Sequence, residues 1–431
     1  MKASRFFYDR FEIDRAKERV RFYYRTDAGH AFVHELSVAF PEHTDDSRLA
    51  PAAFALGMAE LVHYWKAVLA PVIVVSAGAL SKEQISFWAT LYEKGLGEFF
   101  FVNKIDFRGL VRIECDPAAP VVLAASPKAP RERRLLVPLG GGKDSLVTGE
   151  LLKRAGRSFA WFELEPLQLS TRLKELSEVN ETVVIGRDVA SNFAPVLSLV
   201  AEGAPNGHVP ITATYMFSAA FAAALHGFDD LIMSLERSAD EGNVEYLGTV
   251  VNHQYSKSFE FEQAAAAYLR EYVDPNLRLF SLVRPLYELQ IVEEFAKHPK
   301  YFDAFLSCNR GLKTGSWCGT CAKCAFMFAA LSAFLPTAKV VGVFGKNLFE
   351  DESLIPLYRE LIGQGTQKPF DCVGTYDENL LALYLSGERY AKEGVPLPPV
   401  LSALPIAEGR AHTGLLLERG PSIAPPEYSF L

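Results

Sequence analysis

The chain has 431 residues, 49% of them hydrophobic, and a formal net charge of −8. This length and composition predict a globular protein of two or three domains. The negative charge, and the lack of any run rich in Lys and Arg, argue against a nucleic-acid partner. No secretory signal follows Met1, and the apolar stretches at 67–80 and 211–227 are better explained as buried segments than as membrane spans. We therefore expect a cytoplasmic protein without a membrane partner.

The N-terminal part of the chain has the pattern of antiparallel strands followed by helices. Apolar and polar residues alternate on both sides of a turn signal at 26–29, which predicts hairpins. Helical periodicity follows at 52–69 and 82–94. We predict an N-terminal α+β domain over residues 1–125, which ends in a proline-rich seam at 117–130.

Residues 126–335 have a different pattern, in which short apolar strands are separated by helical segments. This pattern predicts a doubly wound parallel sheet, an α/β fold. In such sheets ligands bind outside the carboxyl ends of the strands. After residue 336 the chain is predicted to be mostly helical, and an irregular proline-rich tail follows Pro396. The five predicted strands are 135–139, 160–164, 182–186, 231–235 and 279–283.

Three consecutive glycines, Gly140, Gly141 and Gly142, separate the first of these strands from the helix that opens with Lys143-Asp144-Ser145. Residues without a Cβ let backbone N–H groups converge on an anion, and the helix adds the positive end of its dipole. The spacing fits neither a Walker A loop nor the Rossmann fingerprint. The sequence therefore predicts a phosphate-binding loop of another kind.

This loop resembles the S-G-G-x-D-S pyrophosphate loop (PP-loop) of the ATP pyrophosphatase superfamily, except that Gly140 stands where that superfamily usually has Ser. The resemblance implies a fold of the PP-loop ATP pyrophosphatase (HUP) type for residues 126–335. It also implies attack on the α-phosphate of ATP and release of pyrophosphate.

Four of the six cysteines lie in one window with the spacing C-x₉-C-x₂-C-x₂-C. Four thiolates at this spacing can form a tetrahedral zinc site. An iron–sulfur cluster, or a metal-free arrangement with Cys308 available for proton transfer, is the alternative. Cys115 and Cys372 are isolated, and we expect both to be small buried hydrophobic residues. The zinc candidates are Cys308, Cys318, Cys321 and Cys324.

The window also resembles the zinc motif of the superfamily branch that makes 7-cyano-7-deazaguanine. A closer resemblance covers residues 5–390 and joins the glycine loop with the segments 207–212, 251–258, 307–310 and 317–319. Together these segments resemble the bacterial UDP-N-acetyl-α-D-muramoyl-L-alanyl-L-glutamate epimerase family. The Asn-His-Gln-Tyr-Ser-Lys string at 252–257 is their most distinctive part.

This family resemblance implies an isomerase that inverts the terminal L-Glu of UDP-N-acetylmuramoyl-L-Ala-L-Glu for peptidoglycan biosynthesis. ATP and Mg²⁺ would be required, and AMP and pyrophosphate would be released. The chemistry agrees with a phosphate loop, because removing a proton beside an ionised carboxylate would place two negative charges on neighbouring atoms. Adenylation of the carboxylate removes its charge and makes the Cα proton acidic enough for a side-chain base.

The resemblance suggests roles for the residues of the loop. Gly140, Gly141, Gly142 and Ser145 would hold the β,γ-phosphates of ATP. Lys143 would compensate the charge of the departing pyrophosphate, and Asp144 is the candidate ligand for Mg²⁺. Asp144 could instead be only a favourable charge at the start of a helix.

Proton transfer at the glutamyl Cα needs groups that titrate usefully once desolvated. His253 is the favoured candidate, as one of two opposed groups, and the other candidates are Glu236, His208, Tyr255 and Cys308. Positive side chains would bind the anionic substrate. The predicted substrate-binding set is His208, Arg237, Asn252, Gln254, Tyr255, Lys257 and Arg310.

Two other functions remain compatible with the sequence. The first is another PP-loop enzyme that activates a carboxylate and forms an amide, nitrile or thioamide, as a 7-cyano-7-deazaguanine synthase does. The second is a non-catalytic nucleotide sensor. The glycine loop by itself does not separate these alternatives from epimerisation.

Overall fold

A computed structural model describes residues 3–42, 44–127, 129, 131–166, 168–311 and 314–430. Residues 128 and 130 of the predicted proline-rich seam lie outside these ranges. The described strands are β1 (Arg5–Asp14), β2 (Arg19–Thr26), β3 (Ala31–Val38), β4 (Val72–Val75), β5 (Ile113–Cys115), β6 (Leu135–Pro138), β7 (Ala160–Leu164), β8 (Thr182–Arg187), β9 (Asp230–Met233), β10 (Val244–Tyr246), β11 (Thr249–Val251) and β12 (Arg278–Ser281).

Ten of these strands form one continuous sheet in the order β12-β9-β6-β7-β8-β3-β2-β1-β4-β5, and β10 and β11 form a separate hairpin. The strands predicted between 135 and 283 are present as β6, β7, β8, β9 and β12, and they pair in parallel. The predicted N-terminal hairpins are β1–β2 and β2–β3, both antiparallel. The sheet is therefore mixed but mostly parallel, which confirms the α/β class.

The described α-helices cover both faces of the sheet. Predicted helix 52–69 begins earlier, at Asp46, and predicted helix 82–94 is α2. The helices are α1 (Asp46–Val68), α2 (Lys82–Gly95), α3 (Gly97–Val102), α4 (Lys143–Arg154), α5 (Gln168–Ser177), α6 (Val189–Ala201), α7 (Ile211–His226), α8 (Phe259–Tyr268), α9 (Glu288–Phe295), α10 (Ala322–Phe334), α11 (Thr337–Phe344), α12 (Ile355–Leu361), α13 (Tyr376–Glu393) and α14 (Pro399–Ser402).

Two hydrophobic cores lie on opposite faces of the sheet. Leu136 of β6 belongs to the core that contains α1 and α7, and its neighbours Leu135 and Val137 belong to the core that contains α10 and α13. Successive side chains of a strand point to opposite faces, so β6 is buried on both sides, as a central parallel strand should be. The loop that follows β6 therefore starts from the middle of the molecule.

The N-terminal strands extend the sheet of the middle region. Strand β3 pairs antiparallel with β8 through Leu36–Val38 and Ile185–Arg187. The predicted boundaries at 125 and 335 remain predictions about folding units. The tail after 396 is more ordered than predicted, because it forms α14 and a 3-10 segment, Ile406–Leu416, that packs on α13.

Candidate functional site

The glycine loop connects the end of β6 to the start of α4. Gly141 has a φ of +79°, a backbone conformation that side chains rarely adopt. Gly142 is the N-cap of α4 and offers no side-chain cap, so the first N–H groups of the helix are left for another acceptor. A Cβ on Gly140 would meet no atom within 4 Å, and one on Gly142 would lie 3.2 Å from Ser307 Oγ. This geometry suits an anion held by backbone donors.

A cavity of about 180 Å³ opens beside this loop. Four separate parts of the chain surround it: the glycine loop, the turn before α8, the loop before the cysteine window, and the segment between α12 and α13. Lys323 reaches it from the first turn of α10. The lining residues are Gly140, Gly142, Asp144, Lys257, Leu306, Ser307, Asn309, Lys323, Asp371 and Cys372.

Lys143 does not line this cavity. Its ammonium is fully buried and lies 2.8 Å from Asp144 Oδ1 and 2.7 Å from Glu288 Oε1. Burial lowers the pKa of Lys143, but Asp144 and Glu288 outweigh it and hold the pKa above its usual range. The ammonium groups on the cavity itself are those of Lys257 and Lys323.

Glu288, the first residue of α9, organises the base of the site. Its carboxylate accepts hydrogen bonds from Lys143, from Lys323 at 3.0 Å and from the backbone N–H of Gly374 at 2.9 Å. Burial raises the pKa of Glu288, yet the two ammonium groups overcome this effect and lower it. The ionised carboxylate therefore connects the start of α4, directly after the glycine loop, to the segment that carries Cys372.

Cys372 was expected to be a small buried hydrophobic residue, and this expectation was wrong. Its Sγ lies on the cavity, 3.3 Å from Lys257 Nζ, and close enough to His253 for the two groups to shift each other's pKa. Burial raises the pKa of the thiol, but Lys257, His253 and Lys323 lower it to about 7. A substantial fraction is therefore thiolate at neutral pH.

His208 and His253, both predicted to be functional, lie next to each other near Cys372. The rings of His208 and His253 are 4.6 Å apart, and Glu98 of α3 bonds to Nδ1 of both. Burial lowers the pKa of His253, but Cys372 and Glu98 raise it to about 9. Burial and the neighbouring His253 lower the pKa of His208 to about 3. The pair therefore holds one charge, on His253.

Glu236 lies beside Lys257, with its Oε1 4.0 Å from Nζ, and is almost fully buried. Its Oε2 has no hydrogen-bond partner among the described residues. Its backbone carbonyl accepts a hydrogen bond from Arg284. Glu236 is thus next to the cavity but does not line it.

The remaining predicted substrate-binding residues lie elsewhere or have structural partners. Asn252 and Tyr255 line a second cavity of about 500 Å³, where the Tyr255 hydroxyl donates to Glu260. Asn252 also accepts a hydrogen bond from the backbone N–H of Gln254, which is buried. Arg237 lies over the Tyr287 ring and pairs with Glu418 in the C-terminal tail. Arg310 is exposed and acts electrostatically on Asp371 at the cavity.

The four cysteines of the predicted metal window meet in space. Sγ–Sγ distances are 3.7 Å for Cys308–Cys321, 3.6 Å for Cys318–Cys324 and 3.5 Å for Cys321–Cys324. A tetrahedron with Zn–S bonds of about 2.3 Å has S–S edges of about 3.8 Å, which is close to this arrangement. Backbone N–H groups of Gly311 and Gly319 donate to two of the sulfurs. The donor set fits a zinc ion.

A third cavity, of about 680 Å³, lies on the side of the molecule where β6 and β7 begin. Three of its four arginines already have carboxylate partners, for example Arg133 with Asp230 at 2.7 Å and Arg278 with Asp230 at 2.6 Å, and the fourth, Arg157, donates to the backbone carbonyl of Glu427. Paired guanidinium groups are poor anchors for a further anion. The cavity beside the glycine loop is therefore the stronger candidate site.

Sequence reasoning missed five residues of this site: Glu98, Glu288, Lys323, Asp371 and Cys372. For Lys323, the position between Cys321 and Cys324 was a usable signal. Nothing local in the sequence marks Glu98 or Cys372.

A glycine loop at the centre of a mostly parallel sheet, surrounded by lysines, is typical of α/β proteins that bind phosphate-bearing ligands. Residues 1–282 match the family model of the MurL N-terminal domain, and residues 304–404 match that of the MurL C-terminal domain. The chain belongs to the UDP-N-acetyl-α-D-muramoyl-L-alanyl-L-glutamate epimerase (MurL) family, as its motifs predicted.

Curated relatives carry the same family name. The UDP-N-acetyl-α-D-muramoyl-L-alanyl-L-glutamate epimerase of Xanthomonas oryzae pv. oryzae is 36% identical over 373 residues, which cover 81% of this chain and 80% of the relative. The epimerase of the same name from a Micromonospora species is 33% identical, with 98% of this chain and 96% of the relative covered. The one from Salinispora tropica is 33% identical, with 94% and 89% covered. Within the described part of the chain, no helix is both long and apolar enough to cross a bilayer.

Proposed function

We propose that this chain is an isomerase that inverts the terminal L-Glu of UDP-N-acetylmuramoyl-L-Ala-L-Glu for peptidoglycan synthesis, through an acyl-adenylate made from ATP. The observation that carries the proposal is one cavity on which the glycine loop, two ammonium groups and a thiol meet. A phosphate loop alone would suit many enzymes. A titratable thiol next to that loop is what a reaction at the carbon beside an activated carboxylate requires.

The residues of the loop would bind the nucleotide. Backbone N–H groups of Gly140, Gly141 and Gly142 and the start of α4 would hold its phosphates, with Ser145 nearby. Lys143 pairs with Asp144 and Glu288 beneath the loop, and Lys257 and Lys323 face the cavity. These two lysines would balance the charge of the pyrophosphate and of the substrate.

Metal ions would have separate roles. Asp144 lines the cavity and is our candidate for holding Mg²⁺, which would neutralise phosphate charge when bound. Cys308, Cys318, Cys321 and Cys324 would hold a structural Zn²⁺. Because Cys308 is fully buried in this cluster, we propose it as a zinc ligand and not as a proton-transfer group.

The assay for the proposal uses UDP-N-acetylmuramoyl-L-Ala-L-Glu, ATP and Mg²⁺ in deuterated water. We expect D-configured product with solvent deuterium at the glutamyl Cα, and stoichiometric AMP and pyrophosphate. Pyrophosphate release without deuterium incorporation would point instead to an enzyme that forms an amide, nitrile or thioamide. A folded protein that never cleaves ATP between its α- and β-phosphates would contradict the proposal.

The role of Asp144 has its own test. Asp144→Ala should reduce pyrophosphate release by about 100-fold or more, because phosphoryl charge at the loop would lose its metal ion. Asp303→Ala, which changes an exposed carboxylate, is the matched control and should leave the rate unchanged. Normal release by Asp144→Ala would rule out this role.

A further inference from the structure

We propose that Cys372 is a catalytic residue that takes the proton from one face of the glutamyl Cα, and that His253 and Lys257 are the residues that position and stabilise its thiolate. This inference rests on the proposed function and deepens it. The sequence favoured His253 for direct proton transfer. Here His253 is proposed to stabilise the thiolate of Cys372 instead.

The place of Cys372 in the fold is the first argument. Its thiol and the glycine loop line the same cavity of about 180 Å³. An acyl-adenylate places the acyl carbon directly on the α-phosphate, and the glutamyl Cα is one bond further away. A base for that Cα must therefore lie close to the phosphate loop, as Cys372 does.

Comparison with the other titratable groups on the cavity is the second argument. Lys257 and Lys323 are cations, and Cys372, Glu236 and Asp144 keep the pKa of Lys257 above its usual range despite burial. An ammonium group in that state does not accept a proton. Asp144 bonds to Lys143. Burial raises the pKa of Asp371, which also lines the cavity. Asp371 is therefore the alternative candidate for the base, and the test below includes it.

The surroundings of the thiol are the third argument. Lys257 Nζ is 3.3 Å from Sγ, His253 lowers the pKa of the thiol, and Lys323 donates to the backbone carbonyl of Cys372. Glu98 holds the His253 ring from behind. The resulting pKa of about 7 leaves thiolate and thiol both populated at neutral pH. A group that must remove and return a proton works best near its own pKa.

In the proposed step the Cα–H bond breaks, the proton passes to Sγ of Cys372, and the electron pair moves into the carbonyl of the acyl-adenylate. A second group protonates the opposite face of Cα, and water then releases AMP from the inverted product. In the reverse direction the thiol of Cys372 donates its proton to Cα.

The decisive experiment separates adenylation from proton transfer. Cys372→Ser keeps the size of the side chain and removes its acidity. It should retain dipeptide-dependent exchange of pyrophosphate into ATP within about threefold, and lose deuterium incorporation at Cα by about 100-fold or more. Cys115→Ser, which changes a half-buried thiol in β5, is the matched control and should retain both activities.

Each other outcome overturns the inference. Unimpaired deuterium incorporation in Cys372→Ser would exclude the thiol, and equal loss of both half-reactions would make its role structural or adenylation-linked. Loss in Asp371→Asn without loss in Cys372→Ser would assign the proton transfer to Asp371. Absence of dipeptide-dependent exchange in the unmodified protein is a different result, because it contradicts the proposed function itself.

If the Cys372 variant does not fold, the acidity of the Cys372 thiol can be measured in the unmodified protein. Alkylation by iodoacetamide, followed by peptide mass spectrometry, should show a reaction midpoint near pH 7 for Cys372 in the folded protein and a higher one for the same thiol in urea-unfolded protein. His253→Gln should move the Cys372 midpoint upward, because a cation beside the thiolate is lost. A Cys372 midpoint that does not change on unfolding would contradict a stabilised thiolate.

Discussion

Single charges decide the chemistry of the candidate site. His253 and Cys372 favour each other's charged forms, and the neighbouring His208 stays neutral because burial, and after it the charge of His253, lowers its pKa. Glu98 lies 3.2 Å from Nδ1 of His208 and pairs with Nδ1 of His253, where it acts with Cys372 to raise the pKa of the ring. The activity should therefore depend on pH through this group of side chains.

We expect a bell-shaped pH profile for deuterium incorporation. The rate should rise as pH passes about 7, because Cys372 must lose a proton, and fall above about 9, because His253 loses its charge. Three other charged residues, Lys257, Lys323 and Asp371, line the same cavity as the thiol. They are unchanged in the variant His253→Gln, so a difference in its profile reports on His253.

Steady-state rates between pH 5 and 10 would measure this profile. Removal of the imidazole in His253→Gln should abolish the descending limb and move the ascending limb to higher pH. A profile that stays flat through pH 7 would contradict thiolate chemistry in the site.

At the scale of the element, α1 packs so closely on the sheet that one of its residues must be glycine. A Cβ on Gly57 would lie 1.9 Å from Tyr8 Oη and 2.7 Å from a ring carbon of Phe22. Both rings are fully buried, so neither can move away. Alanine at this position would improve helix propensity and still be excluded by its neighbours.

Gly57→Ala should therefore lower the free energy of unfolding by about 1–3 kcal/mol through overpacking. Gly342→Ala is the matched control within α11, because its added Cβ meets nothing within 4 Å. There the substitution should raise stability by about 0.5–1 kcal/mol. Urea denaturation of both variants measures the difference, and equal effects would refute the packing argument.

Helix α9 connects the phosphate loop to the C-terminal region through its first residues. Glu288 neutralises Lys143 and Lys323, and the backbone N–H of Leu289 donates to Glu378 of α13. Removing one member of a buried ion group leaves the other charges without a partner. The start of α9 is therefore a point where stability and site geometry are coupled.

Glu288→Gln should cost about 3–5 kcal/mol of unfolding free energy, because buried Lys323 loses its carboxylate partner and buried Lys143 keeps only Asp144. Glu293→Gln changes an exposed carboxylate of the same helix and should stay within about 0.5 kcal/mol of the unmodified protein. Chemical denaturation followed by circular dichroism gives both values. A loss at Glu288 as small as that at Glu293 would show that the ion group contributes little.

At the scale of the whole molecule, the candidate site is assembled from distant parts of the chain. Glu98 comes from the N-terminal part, the glycine loop from the middle and Cys372 from the segment before α13. Lys323 lies in the first turn of α10, directly after Cys321 and before Cys324. Metal binding by the cysteines would therefore hold Lys323, and through it the Cys372 backbone, in place.

Protein purified without chelator should contain about one zinc ion per chain. Cys318→Ser should lose the metal, lower the melting temperature and reduce epimerisation, whereas Cys115→Ser should keep all three. Elemental analysis and thermal unfolding provide the measurements. Stoichiometric iron with visible absorption would show that the site holds an iron–sulfur cluster instead of zinc. Metal-free protein that is active would exclude a metal site.

Patterns confined to neighbouring residues could be interpreted from the sequence. The strands of the parallel sheet follow from apolar runs, because a central strand is buried on both faces. The glycine loop follows from three residues without a Cβ, and the convergence of four cysteines follows from short spacing along the chain. In each case the residues that act together are close in sequence, so their chemistry is visible before folding.

Only the tertiary structure decided which side chains surround the loop. Glu98 meets His253 across 155 positions, and Lys257 meets Cys372 across 115. No local pattern marks such partners, because their proximity depends on how the sheet and the C-terminal helices pack. An isolated cysteine in a mostly helical region therefore resembles a buried apolar residue until folding places Lys257 and His253 beside it, and their charges change its acidity.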